Sequence, residues 1–191
     1  MDLYGTAIGG EVVVGEFVQQ VENTVKDILN EVHTVLPGTI TAVNTDAGTV
    51  TVTPVGKYKT SQGKYIDFPA VSGVPLVIPQ STAAGIEIAY PVAAGDTCLL
   101  LFAEQELDSF LYGGASNMTL RFDLTSAIAI PGLCKIAGTA WKEACSSQAV
   151  VIRNGEMKLT VAKDGVAVQG NLKVNGNINC SGIVYGTIPG L

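Results

Sequence analysis

The chain has 191 residues, 47% hydrophobic and only 15% charged, which excludes a solvated disordered chain and sets a prior of one domain or one and a half. Its net charge of −6, from 11 Lys and Arg against 17 Asp and Glu, argues against a nucleic-acid binder that neutralises phosphates. The single histidine, His33, removes most metal sites and most acid–base chemistry near neutral pH, so an enzyme is the weaker class and no cofactor or metal is expected.

The first thirty residues carry no basic segment, and the apolar triplet Val12–Val14 is too short for a signal core or a membrane span. No later stretch reaches eighteen uninterrupted apolar residues. The expectation is a soluble product made in a cytosol. Cys98, Cys134, Cys145 and Cys180 form no C-x-x-C pair, and with one His no zinc site is expected. Cys98, inside Cys98-Leu99-Leu100-Leu101-Phe102, reads as a small buried hydrophobe. A Cys134–Cys145 disulfide is the minority reading for a cytosolic chain.

Residues 1–36 read as an acidic helical arm. From Glu16 to Leu36 there is neither Gly nor Pro, and Pro37-Gly38 stops the helix. Val18, Val21, Val25, Ile28, Val32 and Val35 follow a strict alternation of three- and four-residue steps. That spacing fits the seam of a coiled coil, and β-branched residues at both seam positions favour three or four strands over two. It fits equally an amphipathic helix packed on its own domain. His33, on the flank of this seam, is expected to be solvated.

Residues 37–133 change period. Ile40-Thr41-Ala42-Val43 and Thr49-Val50-Thr51-Val52-Thr53 alternate around the turn Asn44–Gly48, which predicts a β-hairpin. Further strands are expected at Leu76–Ile78, Ile86–Ala89 and Thr97–Phe102, separated by Pro69, Pro75, Pro79, Pro91 and Gly95-Asp96. About five short strands with one helical turn, Glu104–Leu111, suit a small OB-fold-like β-barrel. Residues 134–149, with Trp141, read as a linker.

Residues 150–191 carry a different rule. Val166, Val168, Gly170, Leu172, Val174, Gly176, Ile178, Cys180 and Gly182 share one face at period two, with Gly at every third inward place. A six-residue repeat of this size makes roughly one coil of a β-helix, and one coil has no interior to offset the ordering of its backbone, about 1–2 kcal/mol per residue. Three chains wound together supply the missing walls. The fold class expected is therefore mainly β: a helical arm, an OB-fold-like barrel and a C-terminal intertwined trimeric β-helix or β-prism. Its trimer core is Val166, Val168, Leu172, Val174, Ile178 and Cys180. A disordered glycine-rich tail is the competing reading.

The words Phe68-Pro69-Ala70-Val71-Ser72-Gly73-Val74-Pro75-Leu76-Val77-Ile78-Pro79, Ile88–Asp96, Leu99–Glu104, Leu107–Leu111, Gly113-Gly114 and Arg121–Gly132 resemble the central spike proteins of contractile-tailed phage baseplates. The likeness is to the branch with an N-terminal OB-fold and a C-terminal trimeric β-helix, and it covers about a third of the chain in order. Phe122 and Ser126 depart from it, where the family often has His and an acidic residue. The resemblance implies a homotrimer at the baseplate tip of a phage or phage-like contractile particle, driven through the target cell envelope when the sheath contracts. It implies hub or tail-tube proteins as partners, docked by residues 1–36, and leaves open a separate tip protein. Some relatives hold a metal at the apex with clustered histidines; the tail here has none, and Ile183, Tyr185 and Ile188 are candidates to close the tip by apolar packing.

Two other functions have candidate residues. Glu104, Glu106 and Asp108 are the carboxylates a glycosidase would need, but they read more simply as the polar face of a helical turn. No G-x-S-x-G, Walker A or H-E-x-x-H pattern occurs. A carbohydrate-binding or adaptor OB-fold module would use Tyr58, Tyr65, Tyr90 and Trp141. Residues 150–191 carry four Lys and Arg against two acids, too small an excess to argue for an anionic target.

Overall fold

The computed structural model describes residues 8–60, 62–114 and 121–186, with helix side chains given for 15–29 of the first helix. Two compact units divide at residue 135. The tip residue Ile188 lies outside the described residues.

The first unit opens with α1 (Ile8–Glu31). The helix starts well before Glu16, running through Gly9, Gly10 and Gly15, and stops short of Leu36. Its early end has a local cause. Leu36 precedes Pro37, which disfavours helical backbone, and Val35 and Leu36 instead pair with Leu101 and Leu100. Val35 therefore belongs to a strand and Val32 lies just past the helix, which corrects the seam read over Glu16–Leu36. Every described α1 side chain from residue 15 to 29 is exposed, so the helix is not packed on its own domain.

Five strands build the barrel sheet: β1 (Val35–Asn44), β2 (Thr49–Pro54), β5 (Val71–Pro75), β8 (Thr97–Phe102) and β9 (Ala127–Pro131). Their order is β5-β2-β1-β8-β9, with every neighbouring pair antiparallel. Between them lie two small hairpins, β3 (Lys57–Lys59) with β4 (Tyr65–Asp67) and β6 (Gln80–Ser81) with β7 (Ile86–Glu87). The short helix α2 (Asp108–Tyr112) and a 3₁₀ turn, Leu124–Ser126, precede β9. The hairpin at Asn44–Gly48 falls where the alternation puts it. In place of the strand expected at Leu76–Ile78, β5 spans Val71–Pro75 and ends on Pro75, which pairs with Thr49; of the expected residues, Leu76 makes only an isolated bridge to Ala129.

The sheet curls until its two edges meet. Leu76 bridges Ala129 in parallel, and the Val77 amide donates to the Ala129 carbonyl at 2.9 Å. Inside lie Ile40, Val50, Val52, Val74, Cys98, Leu100, Phe102, Ala127 and Ala129. Val50 and Val52 on β2 and Cys98, Leu100 and Phe102 on β8 are buried at every second place, as the strand period requires. Burial pushes the Cys98 thiol up from its ordinary pKa, so it is an inert hydrophobe. At Gly38, buried in β1, a Cβ would lie 2.5 Å from Val52 Cγ1; the β1–β2 approach requires the missing side chain.

The second unit begins with α3 (Thr139–Ser147), which ends on Gln148 in the left-handed conformation. Three antiparallel strands follow: β10 (Val150–Asn154), β11 (Met157–Ala162) and β12 (Gly165–Gln169). Gly155, at φ +58°, supplies the positive φ that a two-residue hairpin loop needs. Glu143 on α3 and Lys158 on β11 form a half-buried ion pair. The stretch read as a linker thus contains a helix packed beside β10. All four cysteines are free thiols.

Leu100→Ala, at the centre of the barrel, should cost about 2–5 kcal/mol in urea unfolding. Gly38→Ala should also destabilise, since backbone and Val52 must move apart.

Candidate assembly surfaces and the barrel groove

The residues expected to form an interchain core lie on the surface of the single chain. Val166 and Val168 sit on β12, whose five residues are all exposed. Leu172, Val174, Ile178 and Cys180 follow in a segment, residues 170–186, with no helix or ladder of its own and every side chain exposed. Leu172 is 70% and Ile178 74% accessible. Ile183 and Tyr185, named for the tip, are exposed as well. Among the described residues none pairs in a ladder with those past β12, so there the apolar alternation continues without a sheet to carry it.

The repeat glycines have a conformational reason. Gly170 and Gly176, six residues apart, take φ values of +116° and +142°, a region that L side chains rarely adopt. The Met157 sulfur also occupies the place where a Cβ on Gly170 would fall.

On the first unit, Val18, Val21, Val25 and Ile28 form one exposed stripe on α1, with Val32 at its end and Val35 exposed on β1. The joint between helix and barrel is short and pinned. The Phe102 amide donates to the Thr34 carbonyl at 3.1 Å, and the His33 amide to the Phe122 carbonyl at 3.3 Å. The His33 ring is half-buried, edge-on to Phe68 with centroids 5.4 Å apart and tilted against Phe102 at 5.7 Å. The expectation of a solvated His33 is thus corrected: the aromatic wall of the barrel reaches it. Phe122 holds a positive φ of +52°, unusual for a bulky residue.

Next to it, Asp123 caps the 3₁₀ turn. Its Oδ1 accepts from the Thr125 hydroxyl at 2.6 Å and the Thr125 amide at 2.8 Å. These bonds, the hydroxyl foremost, hold the carboxyl below its ordinary pKa, with a smaller pull from His33.

The other candidate residues do not converge. Glu104 pairs with Arg121 at 3.7 Å on the surface, and Asp108 opens α2. Glu106 is half-buried and makes an interaction of its own. Among the described residues no group of three or more His, Cys, Asp and Glu is placed to hold a metal. Tyr58 stacks at a tilt on Phe68, 5.3 Å between centroids; Tyr65 and Trp141 are exposed on separate units. Tyr90 lines an open apolar groove of about 260 Å³ with Val43, Leu76, Ile78 and Val92, its hydroxyl donating to the Pro131 carbonyl at 3.4 Å. The periodicity of the strands pointed to the core and not to this groove, which is built from Pro-rich connections with no period to read.

The barrel and its flanks are where the chain meets a known family. A family model described as the phage protein Gp138 N-terminal domain matches residues 36–132, from the second residue of β1 to just past β9. The chain belongs to that family. The family supports a structural role in a phage particle. No curated protein matches the chain. Among the described residues no helix is long and apolar enough to cross a membrane.

Two substitutions test these local readings. Gly170→Ala should lower the thermal midpoint of the protein by forcing a strained φ and displacing Met157, measured by scanning calorimetry. Asp123→Ala should cost about 1 kcal/mol at neutral pH in urea unfolding. The depressed folded pKa stabilises above the unfolded value near about 4 and is lost as pH falls through the folded one, so the gap between variant and parent should shrink at pH 3.

Proposed function

We propose that this phage protein is the central spike of a contractile tail baseplate. In this reading it is a homotrimer with an OB-fold barrel and a C-terminal three-stranded β-helix, and it punctures the target envelope when the sheath contracts. The observation that carries the reading is the apolar alternation of Val166–Cys180, exposed on one chain and interrupted every six residues by glycine. A chain does not keep such a stripe in water unless other copies cover it.

Three further facts support it. The sheet order β5-β2-β1-β8-β9, with Leu76 just past β5 bridging Ala129 in parallel, is consistent with a five-stranded OB barrel. The family match is to a phage protein domain. The outward places of the tail, Gln169, Asn171, Lys173, Asn175, Asn177, Asn179 and Ser181, are polar, which suits a hydrated shaft. A puncturing device transmits force, so it needs slow unfolding and not a reactive group. We accordingly assign it no catalytic role, no cofactor and no nucleic-acid ligand. Its partners in this reading are two further copies, hub or tail-tube proteins above, the target envelope below, and a separate protein at the tip where apolar packing does not close it.

The groove beside Tyr90 favours one second reading, a carbohydrate-binding or adaptor barrel without a piercing role. Its walls are aliphatic and proline, with a single aromatic ring, so the spike remains the stronger account. A glycan array with specific binding would reverse that order.

Native mass spectrometry decides the main reading. Three chains of 19.8 kDa should give a stable species near 59 kDa, and Leu172→Glu should weaken that assembly while the barrel stays folded. A monomer at micromolar concentration overturns the spike.

A further inference from the structure

The arm that the barrel leaves uncovered also specifies what covers it. α1 spans 24 residues, about 36 Å at 1.5 Å per residue. It packs against none of the strands over more than a residue or two, and its described side chains are all exposed, among them Phe17 at 64%, Val25 at 49% and Ile28 at 58%. Its sequence is a poor helix former on its own, with Gly9, Gly10, Gly15 and a succession of valines. Helices of this kind hold in water only when an apolar face is packed.

We propose that α1 is covered by the same helix of neighbouring copies, in a parallel, in-register bundle with Val18, Val21, Val25 and Ile28 as its seam and Val32 at its base. The seam repeats every 3.5 residues, which matches a partner that is itself a helix supercoiled around α1, and not a sheet or a flat surface. β-branched residues at both seam positions favour three or four strands. Copies related by one rotation axis run parallel with identical residues at one height.

The flanks agree with a self-partner. In that register Phe17 faces Glu22 of the next helix and Thr24 faces Leu29, so no like charges meet. Glu22 already lies 3.9 Å from Lys26 of its own helix. The flanks therefore offer no charge pattern that would select a foreign helix. The inference deepens the spike reading and rests on it for the number of copies, not for the contact.

The test uses the purified full-length protein, which contains no other chain. A photo-crosslinking p-benzoylphenylalanine replaces Val25, and in a control Asn23 on the outer face. Irradiation at position 25 should join α1 to α1 of another copy, identified by peptide mass spectrometry, and position 23 should not. Val25→Glu with Ile28→Glu, two unpaired charges in the seam, should lower the helical signal at 222 nm and weaken association about a hundredfold; Asn23→Glu should leave both unchanged. Helix-to-helix crosslinks that persist in the Leu172→Glu variant support the arm as an independent contact. A 59 kDa trimer whose position 25 reacts only within its own chain, or not at all, overturns this proposal and leaves the spike standing. A monomer without crosslinks overturns both.

Discussion

The barrel depends on two edges that must come within hydrogen-bonding distance, the stretch just past β5 and β9, at Val77 and Ala129. An open five-stranded sheet would leave both edges unpaired and its interior wet. Closure works because the β9 side of the interior is small. Ala127 and Ala129, paired in the ladder with Phe102 and Leu100 of β8, are the buried residues of β9, so little side chain stands between the β9 backbone and the opposite edge. Gly38 plays the same part on β1 against Val52. Large residues on β2 and β8 and small ones on β9 share this interior.

One barrel of this size encloses few side chains. Ten hydrophobic residues are buried among those described, against a much longer roll of exposed large ones, including the seam of α1, β12 and the tail after it. At about 25 cal/mol per Å², two apolar stripes left in water, Val18–Val32 and Val166–Cys180, are a large unrealised stabilisation. These stripes obey two different periods, 3.5 on α1 and 2.0 in the tail.

Much of this was legible in the residues, for reasons that can be named. The alternation of Thr49–Thr53 and of Thr97–Phe102 gives away the core because a strand's side chains change face at every step. The exposure of α1 was not legible: a 3.5-residue seam reads the same whether the helix folds back or points away. Nor was the end of α1. The helix-like spacing of Val32 and Val35 competes with the proline at 37 and with two ladder partners on β8, and the ladder that wins pairs Val35 with Leu101 and Leu36 with Leu100, beyond any local window. His33 was misjudged for the same reason. Its neighbours in sequence are polar or exposed, while its neighbours in space are Phe68, from a distant connection, and Phe102, at the end of β8.

The three residues between α1 and β1 have a mechanical meaning. A jointed column under end load bends at its most compliant link, and a long glycine-rich tether would serve as that link. Here the link is Val32-His33-Thr34, with two of its backbone groups bonded to the barrel and one ring wedged between two phenylalanines. Rotation about this joint must break those bonds and unseat the ring together, so the helix is held to the barrel wall more stiffly than a free tether would hold it.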